Sequence, residues 1–380
     1  LALFAVLFGT RHADATEHQH GLMLAVALES VIKIAAFVCV GVFVTWFMFD
    51  GIGDLWRQAL ADPNVAALRE RAFDGGNFAI LTLLSFLVFL LLPRQFHAAV
   101  VENHSESELR RARWLFPLYL VVINLFVVPI AVAGLIRLGP SANADLFVLS
   151  LPTSVDSDLI SMFAFIGGLS AGAAMVVVAS VALAIMVSNH LVLPLVVRSQ
   201  SRNRGRKQGS MEQLILNIRR TAIIVLMFLG YAYFRSADNS QALAAIGLVS
   251  FAAVVQLAPA FFGGLFWQGA NARGAIAGMV AGFAVWSYTL LLPTLLDSGH
   301  WFVARGLLPS GLLRPEDIFG LGLSPIANGV IWSLFINTVA FVAGSRSRRA
   351  TGSEAAQASV FVDLARPLLI RRRGTAAQLS

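Results

Sequence analysis

Long apolar runs, each near twenty residues or more, alternate with short polar segments along most of the chain. They fall at Gly21–Phe49, Asn77–Val101, Trp114–Ile136, Leu159–Val197, Leu214–Phe234, Gln241–Trp267, Gly274–Leu296 and Ile326–Val342. At a rise of ~1.5 Å per residue these runs match a hydrocarbon core roughly 30 Å thick, so the pattern predicts eight membrane-spanning helices. A transmembrane β-barrel would show alternating segments of about ten residues, a pattern this sequence lacks. The opening run from Leu1 to Phe8 has neither a positive n-region nor a cleavage site, which excludes a signal peptide. It reads as the tail of a further span, and the chain as N-terminally truncated.

Three interruptions refine the pattern. Pro93-Arg94 falls inside the second run, where proline removes a helix hydrogen bond and bends or breaks the helix. Leu159–Val197 has 39 residues, nearly 60 Å as a helix, so it must tilt, bend or leave the bilayer. Ser188-Asn189-His190 before Pro194 marks the expected exit. Gly167-Gly168, Ser170 and Gly172 form a small-residue face suited to close helix packing. Between the first two runs, Pro63 to Phe73 reads as a short helix in a solvated cap, closed by Gly75-Gly76.

Composition agrees with this pattern. Hydrophobic residues make up 57% of the 380, charged residues only 13%, and the mean hydropathy is +0.75, which excludes a soluble globular domain. The formal charge of +7 is unevenly spread. Arg198, Arg202, Arg204, Arg206 and Lys207 crowd one loop; Arg346, Arg348, Arg349, Arg371, Arg372 and Arg373 crowd the tail. The positive-inside rule puts both in the cytoplasm, and eight alternating spans keep them on one side. The acidic loops at Asp50 to Asp74 and Asp145 to Asp158 then face outward. Because the basic residues flank spans and form no soluble basic face, nucleic acid is not an expected partner. Cys39 is the only cysteine, so an internal disulfide is excluded.

Candidate chemistry is concentrated in the first long run. Glu29 and Lys33 stand four residues apart on one helix face, about 12 and 18 Å into the core from Gly21. Charges at that depth turn towards a protein interior or a wet cavity. Two readings fit: a permanent ion pair that fixes packing, or a carboxylate that carries a proton under the influence of Lys33. Arg94 and His97 beside the proline break fit either a polar cavity exposed by a discontinuous helix or snorkelling residues near the cytoplasmic end. His12, Asp14, Glu17, His18 and His20 supply metal-ligand residue types, but in a short interhelical loop they read as a solvated turn, and no metal site is assigned. A phosphate loop and a kinase signature are absent from the sequence, and no catalytic residue is assigned.

Several stretches together resemble the sodium/solute symporter family, in particular the symporter-like membrane domain of bacterial sensor histidine kinases of the CbrA type. They are Phe8-Gly-Thr-Arg-His12 with Ala15-Thr-Glu-His18, Glu29-Ser-Val-Ile-Lys33, Leu92-Pro-Arg-Gln-Phe-His97 with Val101-Glu-Asn103, and Arg110-Arg-Ala-Arg-Trp-Leu-Phe-Pro117. Phe165-Ile-Gly-Gly-Leu-Ser170, Met186-Val-Ser-Asn-His190, Gly247-Leu-Val-Ser-Phe-Ala252 and Val360-Phe-Val-Asp363 extend the resemblance over nearly the whole chain.

The resemblance implies an all-α polytopic protein with the inverted-repeat (LeuT-like) transporter fold. Residues 1–20 would hold the end of a truncated span and a cytoplasmic loop, 21–49 the last helix of the first repeat, and 77–267 the second five-helix repeat. Two peripheral helices, 274–344, and a basic cytoplasmic linker, 345–380, would follow. It also implies import of a small polar solute, an amino acid first, across the bacterial inner membrane, with a fused kinase and a response regulator as partners. A transporter-derived sensor that binds without transporting is the alternative. Substrate contacts would come from Ser85, Phe89 and Pro93; Ser85 departs from a bulky aromatic in proline-transporting relatives. The coupling cation would be Na+ or H+. With Asn189-His190-Leu191 setting the register, the family's sodium-binding hydroxyl pair falls on Ala174 and Met175, which offer a hard cation no side-chain oxygen, leaving Ser170 one turn away and Glu29 as candidates.

Overall fold

The computed structural model describes residues 3, 5–6, 20–69, 74–101, 103, 105–200, 209–236, 243–296, 306, 313–348, 350–352, 354–356, 358–360 and 362. Helix α1 (His20–Phe43) runs into a π-helical turn, Val44–Met48. Two short helices follow, α2 (Ile52–Ala61) and α3 (Pro63–Arg69), and then α4 (Gly75–Leu91) and α5 (Pro93–Phe96) with a π turn at His97–Val101. Next come α6 (Glu106–Leu125), α7 (Val127–Leu138) and α8 (Phe147–Thr153), the last entered through a 3-10 turn at Ala144–Leu146. Helix α9 (Asp158–Met186) continues through a π turn, Val187–Val192, into α10 (Leu193–Gln200). The remaining helices are α11 (Gly209–Ser236), α12 (Leu243–Val255), α13 (Ala258–Phe266), α14 (Ala272–Trp286) with a π turn at Ser287–Leu291, α15 (Leu292–Leu295) and α16 (Pro325–Arg346).

Apart from an isolated bridge between Leu313 and Ile318, the described elements are all helical. Among the described residues seven helical spans are long and apolar enough to cross a membrane, or eight if the bent pair of α4 and the segment Pro93–Val101 counts as one. The chain is therefore a multi-pass helical membrane protein, and each apolar run of the sequence coincides with a span. The spans are only 11% to 39% buried, and their exposed Leu, Ile, Val and Phe side chains, costly in water, are left for lipid.

Local signals set the boundaries. Asp74 accepts the Asn77 backbone N–H at 3.0 Å and caps α4, so Gly75-Gly76 open this helix and do not close the preceding one as the sequence suggested. Helix α2 was not foreseen; its Leu55 and Ala59 are buried at i,i+4 on an otherwise exposed helix. The 39-residue run stays helical from Asp158 to Val196, and Ser188-Asn189-His190, expected to end it, lie in its π turn. The sixth run breaks at Gln256-Leu257, where Pro259 opens α13.

The described residues form two units, which are treated separately. The first comprises those of Leu1–Phe73 and Pro93–Arg235. In it α9 packs along α1, and a core of Val40, Val44, Phe126, Ile130, Phe147 and Leu151 joins α1, α7 and α8. A Cβ on Gly167 would collide with the Ala36 side chain, so glycine sets the close approach of α9 to α1. The second unit comprises those of Asp74–Leu92 and Ser236–Ser380. Its core joins Leu84, Val88 and Leu91 of α4 to Ala252, Val255 and Leu290. Its closest helix pair is α14 with α16, where Gly274, Gly278 and Gly282 are all buried against Asn337, Phe341 and Ser345.

Candidate functional site

The apolar sequence of α1 makes it a span, and the i,i+4 spacing then brings Glu29 and Lys33 together. Lys33 Nζ lies 3.2 Å from Glu29 Oε1, with side-chain exposures of 21% and 10% respectively. This is an ion pair without hydrogen-bond alignment: Oε1 is buried and accepts no hydrogen bond among the described residues. Measured from Leu24, where the span begins, Glu29 stands about 8 Å and Lys33 about 14 Å along the axis. Helix α6 packs against α1 and brings Tyr119 within electrostatic reach of Glu29.

Lys33 also lines a cavity of about 470 Å³ within the first unit. Ala36 and Phe37 of α1, Gly167 and Gly168 of α9, and the segment from Asp145 to Leu149 supply most of its wall. The wall is apolar except at Lys33 and Asp145. A second cavity, about 340 Å³, lies where α2 and α3 meet α7; its lining, which includes Trp56, Leu60, Val128 and Leu135, carries no charge.

The other residues singled out from the sequence separate. Ser85 and Phe89 lie on α4 in the second unit, both exposed, beside the buried face of Leu84, Val88 and Leu91. The Ser85 hydroxyl donates to the Leu81 carbonyl at 2.8 Å, and neither residue lines either cavity. At Leu92 the backbone turns extended, with φ −60° and ψ 123°, and Pro93 restarts the helix as α5. Proline disfavours the helical region for the residue before it, which accounts for the break. Arg94 is half-buried on α5, and His97 is buried at the start of the π turn. Helix α5 packs against α9, the helix that carries Ser170. Ser170 is half-buried, Ala174 likewise, and the Met175 side chain is exposed. His12, Asp14, Glu17 and His18 lie outside the described residues, as does the basic segment 201–208.

Two polar clusters escaped the sequence reading. Arg219 of α11, only 2% exposed, donates from Nη2 to Asn189 Oδ1 at 3.4 Å, beside the buried Ser188 of the π turn. In the second unit, Gln256 Nε2 donates to Ser333 Oγ at 2.8 Å, and Asn337 Nδ2 donates to Gln256 Oε1 at 3.1 Å. The signal was present: polar residues at i,i+4 inside an apolar run, as at Ser333 and Asn337, point into the protein.

The fold and these sites define a multi-pass helical membrane protein with a buried charge pair beside an apolar cavity. Comparison of the chain with models of known protein families, with curated proteins and with solved structures gives no match.

Proposed function

We propose that this chain is the membrane domain of a secondary active transporter with the inverted-repeat, LeuT-like fold of the sodium/solute symporter family. It imports a small polar solute, an amino acid in the first instance, by alternating access coupled to a cation. It resides in the bacterial cytoplasmic membrane with its basic tail inside, and serves as the input module of a sensor histidine kinase acting on a response regulator.

The observation that carries this reading is the Glu29–Lys33 pair, 3.2 Å apart within a span. Ionisable residues inside membranes are costly and mark substrate or proton pathways. The break at Leu92–Pro93 supports it, because a discontinuous span frees backbone groups to meet solute or ion. Ser85, Phe89 and Pro93 contact the solute in this reading, Arg94 and His97 line the polar path, and Glu29 carries the proton. With Na+ as the cation, Ser170 supplies an oxygen.

One observation favours a second reading, a sensor that binds solute without moving it. Ala174 and Met175 stand where the resemblance puts the family's sodium-binding hydroxyl pair, and neither has a side-chain oxygen to offer. Uptake of radiolabelled amino acids, histidine and proline included, by the full-length protein in proteoliposomes separates the two. Accumulation under an imposed sodium or proton gradient is the expected result; binding without accumulation under either gradient establishes the sensor.

A further inference from the structure

Lys33 faces two surroundings of different kinds. On one side lies the Glu29 carboxylate; on the other is the cavity of about 470 Å³. An ammonium has three donors and Glu29 engages one direction, so the others remain for a second acceptor. Glu29 is not among the lining residues, and Ala36, Phe37, Leu149 and Phe165 make the surrounding wall apolar. A molecule entering there meets Lys33 as the one cation of the lining, with the Asp145 carboxylate at another point of an otherwise apolar wall. Asp145, the other charged lining residue, comes from the segment leading into α8 and is exposed.

We propose that this cavity binds a small organic monocarboxylate with an apolar body, its carboxylate against Lys33 Nζ, and that capture is accompanied by protonation of Glu29. One ammonium in a low-dielectric setting neutralises one carboxylate, and a second anion at the same group is uncompensated. Before binding, Glu29 and Lys33 sum to zero charge. When RCOO⁻ enters and one H⁺ from solvent forms an O–H bond on Glu29, the site again sums to zero. The proton leaves a buffer acid in solution, whose own O–H or N–H bond breaks, and no other covalent bond changes. A dianion would leave one charge unpaired, and a neutral analogue would leave the Lys33–Glu29 pair as it is, so the site selects a single negative charge.

The groups facing Glu29 permit this exchange. Helix α6 contributes Tyr119, with Arg113 within two turns of it and Arg111, Arg110, Glu108 and Glu106 further towards its start. Helix α9 carries no titratable residue between Leu159 and Met186, and α8 carries none. Arg137 of α7 is engaged at the opposite end of the span, donating to the Met48 carbonyl at 3.3 Å. The proposal concerns binding, so it does not depend on whether solute is transported.

The test is isothermal titration calorimetry of full-length protein in lipid nanodiscs with 3-phenylpropionate near pH 7, in two buffers of different ionisation enthalpy. The expected result is saturable binding with uptake of up to one proton per anion. The neutral analogue 3-phenylpropanol binds at least about tenfold more weakly. Gly168→Leu should lower affinity by a similar factor while leaving the fold intact, because a Cβ at Gly168 meets no atom within 4 Å and the side chain grows into the cavity it lines. Glu29→Gln should retain binding and lose the linked proton. Equal affinity for acid and alcohol would identify an unselective, lipid-facing groove and overturn the proposal. So would absence of binding, indifference to Gly168→Leu, or an unchanged proton count in Glu29→Gln.

Discussion

Asn337 donates its side-chain amide to the backbone carbonyl of Gln256, 2.7 Å away, at the point where the span from Leu243 to Phe266 breaks. Between α12 and α13 the helical ladder gives way to i,i−3 bonds, Gln256 N–H to Ala253 and Leu257 N–H to Val254. Carbonyls released there need donors, since lipid supplies none. Gln256 serves one of them itself, donating from Nε2 to the Ala252 carbonyl at 3.1 Å, and Asn337 of α16 serves the next. Both side chains are fully buried, so the break is a braced joint of the second unit.

Replacing Asn337 by leucine removes this brace while keeping the branching and the number of side-chain heavy atoms. It should destabilise the protein by about 1–2 kcal/mol, the upper range for hydrogen bonds between membrane helices. A thermal-unfolding midpoint in detergent checks this, and Thr338→Ala is the comparison, since the Thr338 hydroxyl only donates back to the Leu334 carbonyl of its own helix.

Packing of α14 on α16 depends on the absence of side chains at three positions one turn apart. A Cβ at Gly278 would lie 2.7 Å from Asn337 Oδ1 and 2.8 Å from Phe341 Cβ, inside van der Waals contact. Gly278→Ala should therefore cost about 1–3 kcal/mol through overpacking. Gly264→Ala on α13, where nothing lies within 4 Å, should be neutral or slightly stabilising. Parallel melting curves of the two variants decide the point.

Much of this was legible in the sequence, and the exceptions share a cause. Spans were readable because a bilayer demands an uninterrupted apolar run, and Glu29 and Lys33 stood out as the departures from one. The break at Pro93 was readable from a single residue. The break at Gln256 was missed although Pro259 announced it, because the run remains apolar on both sides. The glycines 274, 278 and 282 carry a readable spacing, but which helix they receive does not follow from it. The cavity beside Lys33 was out of reach altogether, since its wall joins α1 to α9 and the segment from Asp145 to Leu149, both more than a hundred residues further along the chain.

The ion pair itself is open to a double-mutant cycle. Lys33→Met leaves a carboxylate buried without its cation and should destabilise the protein by about 3–5 kcal/mol. Adding Glu29→Gln to that variant should restore most of the loss, because no charge then remains to be paired. Unfolding of these two variants, of Glu29→Gln alone and of the wild type in denaturant gives the coupling energy directly.

After α16 the chain is held by a capping box, Thr351-x-x-Glu354. Glu354 Oε2 accepts from the Thr351 N–H at 2.7 Å and from its hydroxyl at 2.8 Å, and Oε1 accepts the Ala272 N–H at 3.4 Å. The Thr351 N–H, then its hydroxyl, hold the Glu354 carboxyl below its ordinary value. A lowered folded value means that the contribution is complete above the ordinary glutamate value of about 4.3 and is lost as pH falls through the lowered one. Amide-exchange protection at Thr351 should fall over that acidic window in the wild type. In Glu354→Gln the step should be absent.

The most direct test of the transporter reading is a comparison of Glu29→Gln with the wild type in two assays on full-length protein in proteoliposomes: solute counterflow without a gradient, and accumulation driven by an imposed proton gradient. A carboxylate that carries the coupling proton predicts that the variant keeps counterflow and loses accumulation. Equal accumulation by variant and wild type under the proton gradient would contradict it, and would leave the Glu29–Lys33 pair a brace for helix packing.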